Sequence, residues 1–280
     1  MAIDRSRIGL NRIIYPGLGL EDFFKLAAEL DIHKVELRND LPNVGIIDGH
    51  MPAEVKAFSD TYGVQIITIN ALQHFNLGSR LQSRVDELRD LVSLAADIEC
   101  EALVLCPHND VNDTRSAEAC FQETVAALKA FAPIFEDSGL MGYVEPLGFQ
   151  ESSLSSLVTA VQAIQASGCQ QYKIVYDTFH HHLGPDTPQT VENEYDVAYT
   201  GLIHISGIES EIPSTAFRDE HRILVGAADK LKTREQVQKL VALGYTGAIS
   251  FEPFADVVHH MSLEEIKAAI QASIGYLLEE

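Results

Sequence analysis

The sequence predicts a single (β/α)8 barrel spanning residues 1–280, on three observations. Short apolar runs alternate with helix-period segments along the whole chain. Eight such runs are present, and eight strands alternating with helices over roughly 250 residues suit this barrel better than a smaller sheet. No linker, low-complexity run or shift in composition divides the chain. An open doubly wound sheet is the competing arrangement, but no Gly-x-Gly-x-x-Gly follows the first strand.

In chain order, the strands are read at 8–13, 34–38, 65–70, 102–106, 142–146, 173–177, 201–205 and 247–252. Several are continuous apolar runs, such as Ala102-Leu-Val-Leu-Cys106, as expected of parallel strands covered on both faces. After the third strand, Leu81, Val85, Leu88, Val92 and Ala95 recur at helical spacing. Phe121, Val125, Leu128, Phe131 and Phe135 do so after the fourth, and each set makes one apolar stripe directed at a core. Gly168 stops the helix before the sixth strand. Thr233 with Gln236 has capping-box spacing for the helix after the seventh strand, and Gly244 ends it. Ser262 with Glu265 opens the last helix in the same way.

Hydrophobic residues make up 46% of the 280, enough for a full core, and the formal net charge is −21. A surface of that sign repels phosphate backbones and anionic lipid headgroups. Nucleic acid and membranes are therefore excluded as partners, and a small neutral substrate fits. Cys100, Cys106, Cys120 and Cys169 form no Cys-x-x-Cys pair and read as free, mostly buried thiols of a reducing cytosol. Residues 1–10 lack the apolar stretch of a signal peptide. No run approaches the roughly 20 apolar residues that span a bilayer, so a soluble cytoplasmic protein is expected.

Barrels of this kind place their working groups where strands end and loops begin. Glu145, Asp177, His204 and Glu252 end the fifth to eighth apolar runs. A buried charge is costly unless paired or metal-bound, and three carboxylates with one imidazole suit a divalent cation: manganese first, with zinc, cobalt or magnesium as alternatives. The other reading of any one of them is a helix cap or ion-pair partner. Such a cation polarises a ketone and its neighbouring hydroxyl, one glutamate takes a proton from the adjacent carbon and the other returns it, and the enediolate is held by the cation. His180, in Asp177-Thr-Phe-His-His-His182, is aimed at substrate or else belongs to a solvated loop with His181 and His182. Asn70 and His74, in Asn70-Ala-Leu-Gln-His-Phe-Asn76, contact substrate hydroxyls with Phe75 as a wall, or form a polar loop tip. Arg38 is a similar case, and His108 reads as structural. No nucleophile elbow, P-loop or nucleotide fingerprint is present.

The stretches Tyr176-Asp-Thr-Phe-His-His-His182, Leu202-Ile-His-Ile205 and Ser250-Phe-Glu-Pro253 resemble the xylose-isomerase-like barrel superfamily. With Asn70–Asn76, Asp219-Glu-His-Arg222 and the Ser262–Glu265 helix start, the likeness is greatest to its inosose isomerases and covers nearly the whole chain. The resemblance implies metal ligation by Glu145, Asp177, His204 and Glu252, proton movement by Glu145 and Glu252, and substrate contacts from His180 and Arg222. It implies interconversion of 2-keto-myo-inositol and 1-keto-D-chiro-inositol, with a keto-sugar 3-epimerase or hydroxypyruvate-type isomerase as the alternative. A homodimer or homotetramer is the expected assembly. One stretch departs from the pattern: Arg222-Ile-Leu-Val-Gly-Ala-Ala228 stands where many relatives have Arg-x-x-Pro-Gly-x-Gly, which alters the stiffness of a loop beside the pocket.

Overall fold

The computed structural model describes residues 3–279. Eight parallel strands close on themselves in chain order, β8 returning to pair with β1. The strands are β1 Ile8–Asn11, β2 Lys34–Arg38, β3 Gln65–Leu72, β4 Ala102–Leu105, β5 Met141–Val144, β6 Tyr172–Asp177, β7 Thr200–Ile205 and β8 Ala248–Phe251. All eight expected runs are strands. The principal helices between and after them are α1 Leu20–Glu29, α2 Pro52–Tyr62, α3 Leu81–Asp97, α4 Ala117–Ser138, α5 Leu157–Ser167, α8 Thr233–Ala242 and α10 Leu263–Leu278. Three shorter ones, α6 Thr178–Leu183, α7 Pro188–Glu194 and α9 Asp256–His259, lie in the segments that follow β6 and β8. No described helix is long and apolar enough to cross a membrane.

The helix stripes pack as their spacing requires. Val85, Leu88, Val92 and Ala95 of α3 are buried, as are Val125, Leu128, Phe131 and Phe135 of α4. Gly139 and Gly168 end α4 and α5 in the left-handed conformation that glycine adopts without penalty. Ser262 and Glu265 form the expected capping box of α10. The box expected at Thr233 does not form. Asp229 Oδ2 accepts from the Thr233 N–H instead, and Gln236 donates to the carbonyls of Thr178 and Leu231, because neighbouring loops supply better-placed partners.

Strand residues alternate between two apolar layers, as a pleat of period two dictates. Tyr176, Ile203, Ile205, Ile249 and Phe251 join the shell under the helices. Val175 and Leu202 join a small plug inside the barrel, against which Tyr143 and Ala248 pack. Two residues beyond each plug residue, or four for Ala248, stand Glu145, Asp177, His204 and Glu252. The inward parity that fills the barrel floor with apolar groups thus brings these polar groups to its carboxyl-terminal mouth. A third cluster, with Phe149, Phe179, Ile208 and Phe217, covers one side of that mouth.

Candidate metal centre

Glu145, Asp177, His204 and Glu252 offer ligand atoms that all lie within 4.8 Å of one another, and all four residues are buried. Strand pairing sets Asp177 beside His204. Glu145 and Glu252 follow β5 and β8 directly, their N–H groups donating to Leu105 and Ile205 on the preceding strands at 3.0 and 2.8 Å. His204 Nδ1 is 2.9 Å from Glu145 Oε1 and 3.3 Å from Glu252 Oε2. Asp177 Oδ1 caps α6, accepting from the N–H groups of Phe179 and His180.

The two glutamates have different surroundings. Glu252 accepts from Asn11 and Arg38 on Oε1 and from Arg222 on Oε2. Glu145 accepts from His204 and, at 3.4 Å, from the Cys106 thiol. Burial opposes ionisation of Glu252, but His204, Arg222 and Arg38 outweigh it and pull its pKa down to about 2. Burial raises that of Asp177 despite Arg222 beside it. For His204, burial would favour the neutral ring, yet Glu252, Glu36 and Glu145 hold its pKa well above the usual value.

Sequence reasoning missed Glu36. It lies on β2 with no exposure, and its Oε2 accepts from Thr68 at 2.5 Å and Asn70 at 2.9 Å, and lies 3.0 Å from His204 Nε2. Concealed in the apolar-flanked run Lys34-Val-Glu-Leu-Arg38, it has the same inward parity as Arg38 two residues on, and that parity was the available signal. Arg38 itself donates to Asp40, Asn11 and Glu252.

The donor set suits a divalent cation. Oxygens from three carboxylates and one imidazole nitrogen converge, and the nitrogen of the ring facing away from them lies on a further carboxylate, Glu36, an arrangement typical of metal-ligating histidines.

A cavity of about 250 Å³ opens over this group and is lined among others by Asn70, His74, Phe149, His180, Arg222 and Phe254. His180 is buried with Nδ1 unpartnered, and burial lowers its pKa to about 4, so the ring is neutral at physiological pH. The triple-histidine run is helix α6 rather than a solvated loop: His181 packs on Tyr176 and only His182 is exposed. Arg222 is spent on Ser206, Asp219, Asp177 and Glu252. Asn70 sends its amide N–H bonds to Glu36 and Thr68. His74 Nδ1 meets His108 Nδ1 at 3.3 Å. Phe75 is fully buried in the shell beneath the helices and forms no wall. Phe254 serves instead, with the guanidiniums of Arg38 and Arg222 at 5.1 and 4.8 Å from its ring. A larger groove of about 660 Å³, around Asp110–Phe121 and Gln150–Ser156, carries none of the converging ligands.

A model of the family described as xylose isomerase-like TIM barrel matches residues 24–279. Inosose isomerase of Halalkalibacterium halodurans strain C-125 is 22% identical over 250 residues, covering 87% of this chain and 86% of that protein. The crystal structure of a xylose isomerase domain-containing protein of Salmonella typhimurium LT2 superposes over all of both chains with a TM-score of 0.93 at 38% identity. The structure of the IolI protein with a bound zinc atom superposes with a TM-score of 0.87 at 18% identity, covering 97% of this chain and 98% of that one.

Proposed function

This chain belongs to the xylose isomerase-like TIM barrel family, and on that premise we propose that it is a divalent-metal-dependent isomerase of an uncharged keto-polyol, inosose foremost. The observation that carries the reading is the buried convergence of Glu145, Asp177, His204 and Glu252 under a cavity of polyol size. These four residues hold the cation. Manganese is favoured because three of the four ligands are carboxylates, and zinc is what the IolI structure contains. The chemistry such an ion supplies is polarisation of a ketone and its neighbouring hydroxyl.

The remaining work falls to the chain's own groups. A carboxylate takes the proton from the carbinol carbon beside the carbonyl, a proton is returned to the former carbonyl carbon, and the carbinol hydroxyl proton passes to the former carbonyl oxygen, so the ketone moves by one position. Glu145 and Glu252 are the groups assigned to this traffic. Their positions after β5 and β8 bring them in from different arcs of the barrel, which supports action at neighbouring carbons. His180, neutral and lining the cavity, is assigned to a substrate hydroxyl. His74 is assigned to the rim, Asn70 to a contact through its carbonyl oxygen, and Arg222 to a contact through the donor capacity its carboxylates leave.

Charge separates this reading from a hydroxypyruvate-type isomerase. The cavity's basic lining is Arg38 and Arg222, and both are already bound to carboxylates. A carboxylate or phosphate on the substrate would meet no side-chain guanidinium free of carboxylate partners. A cytoplasmic setting goes with this reading, supported by four free and buried cysteines.

The test is to incubate the manganese-loaded protein with 2-keto-myo-inositol in D2O and follow the products by NMR. The expected result is 1-keto-D-chiro-inositol, suppressed by a chelator. Deuterium at the carbon next to the ketone without that product would point to an epimerase, and neither product nor exchange would overturn the reading for inosose.

A further inference from the structure

We propose that Glu36 is the positioning residue of the metal centre: it holds the Nε2–H of His204 so that Nδ1 is the nitrogen presented to the cation. This inference rests on the metal reading above and extends it to a residue outside the ligand set.

Three observations carry it. First, His204 is fully buried with a carboxylate on each side of its ring, Glu36 Oε2 at 3.0 Å from Nε2 and Glu145 Oε1 at 2.9 Å from Nδ1. Nδ1 is the nitrogen beside the two glutamates of the ligand group, with Glu252 Oε2 also at 3.3 Å. Second, Glu36 comes from β2, across the barrel interior from β7, and has no exposure. A carboxylate is retained at such a depth only with strong compensation. Third, the compensation is lopsided. Oε2 serves Thr68, Asn70 and His204, while Oε1 has no hydrogen-bond partner, nor does the buried Ser250 Oγ. Here the donors from β3 converge on the one oxygen that faces the imidazole, which fixes that oxygen against the ring.

A histidine held in this way has a fixed tautomer, a fixed ring orientation and a more basic metal-facing nitrogen. Loss of such an outer partner commonly weakens metal affinity by about 10- to 100-fold. Thr68 and Asn70 then act one step further out, by holding Glu36.

Two measurements test this, both independent of turnover. Zn2+ affinity is measured by competition with a chromophoric chelator for the wild-type protein and for Glu36→Gln, with circular dichroism to establish that each is folded. The expected result is one tight site in the wild type and binding weaker by roughly 10- to 100-fold in the variant. Equal affinities within about twofold would overturn the role of Glu36 and leave the metal centre standing. Absence of Zn2+ binding by the wild type would overturn the metal reading and this inference with it. Should Glu36→Gln not fold, the second measurement needs no variant. In wild-type protein loaded with 113Cd2+ and labelled with 15N on histidine, the metal coupling is expected at Nδ1 of His204, with Nε2 protonated. Coupling at Nε2 would overturn the proposal.

Discussion

At the scale of single residues, the unequal settings of Glu145 and Glu252 separate chemistry from stability. Replacing either by Gln removes a group assigned to proton transfer, and turnover of the keto-polyol is expected to fall by at least about 100-fold in both. Their effects on stability differ. Glu252→Gln leaves Arg38 and Arg222 facing a neutral amide, and breaking a buried ion pair from one side costs about 3–5 kcal/mol. Glu145→Gln loses a contact with His204 and a weak one with a thiol, about 1–3 kcal/mol. Urea unfolding of the two variants should show Glu252→Gln as the less stable. A second expectation concerns pH. The His204 pKa is raised in the folded protein, so the stability its proton provides is present at low pH and lost as pH rises through the raised value. A cation bound as proposed would displace that proton from Nδ1. Apparent affinity should therefore climb with pH through neutrality, by up to tenfold per unit, as cation titrations at several pH values would record. Glu36 eluded sequence reading because its partner, His204, lies five strands further along the chain. Glu145, Asp177, His204 and Glu252 were legible because each breaks an apolar run at the same end of its strand.

At the scale of elements, the segments around β5 and β6 hold the cavity wall through one close contact. A Cβ on Gly148 would lie 1.9 Å from the His180 carbonyl oxygen and 2.8 Å from the Gly184 nitrogen. Gly148→Ala should therefore push α6 outward, destabilise the fold by about 3 kcal/mol and raise KM more than it lowers metal affinity, since His180 moves with α6. A KM unchanged within twofold in a folded variant would deny the contact its importance. Strands were readable here because burial on both faces leaves continuous apolar runs, as in Ala102–Leu105. Helix α6 was less so. Asp177 both ends β6 and caps α6, so strand and helix join without a loop, and three polar residues in a row disguise the turn. The Thr233 box failed for a related reason, because Asp229 and Thr178 lie outside the window that local spacing can read.

At the scale of the whole molecule, the centre concentrates carboxylates in the barrel mouth, and a dication bound there would relieve their repulsion. Cation at 100 times its dissociation constant adds about 2.7 kcal/mol to the folded state, a rise in Tm on the order of 5 °C for a chain of this size. Calorimetry with manganese and then with excess chelator should show the rise and its reversal; no shift at saturating metal would mean that the folded chain holds the ion no better than the unfolded one. Barrel closure could be anticipated from eight alternating units, whereas the packing of one loop on another could not, since no periodicity encodes it. The loop after β7 is one such case. Gly207 and Ile223 exchange a pair of backbone hydrogen bonds, and the Arg222 carbonyl accepts from Phe254 and Ala255 in the segment after β8. These two segments are stitched at the same residue that steadies Asp177 and Glu252. A graft of the Arg222–Ala228 stretch from a relative, intended to change substrate preference, would therefore need the Phe254 segment transplanted with it, and a chimaera carrying one without the other should express as a barrel with a broken seam at its rim.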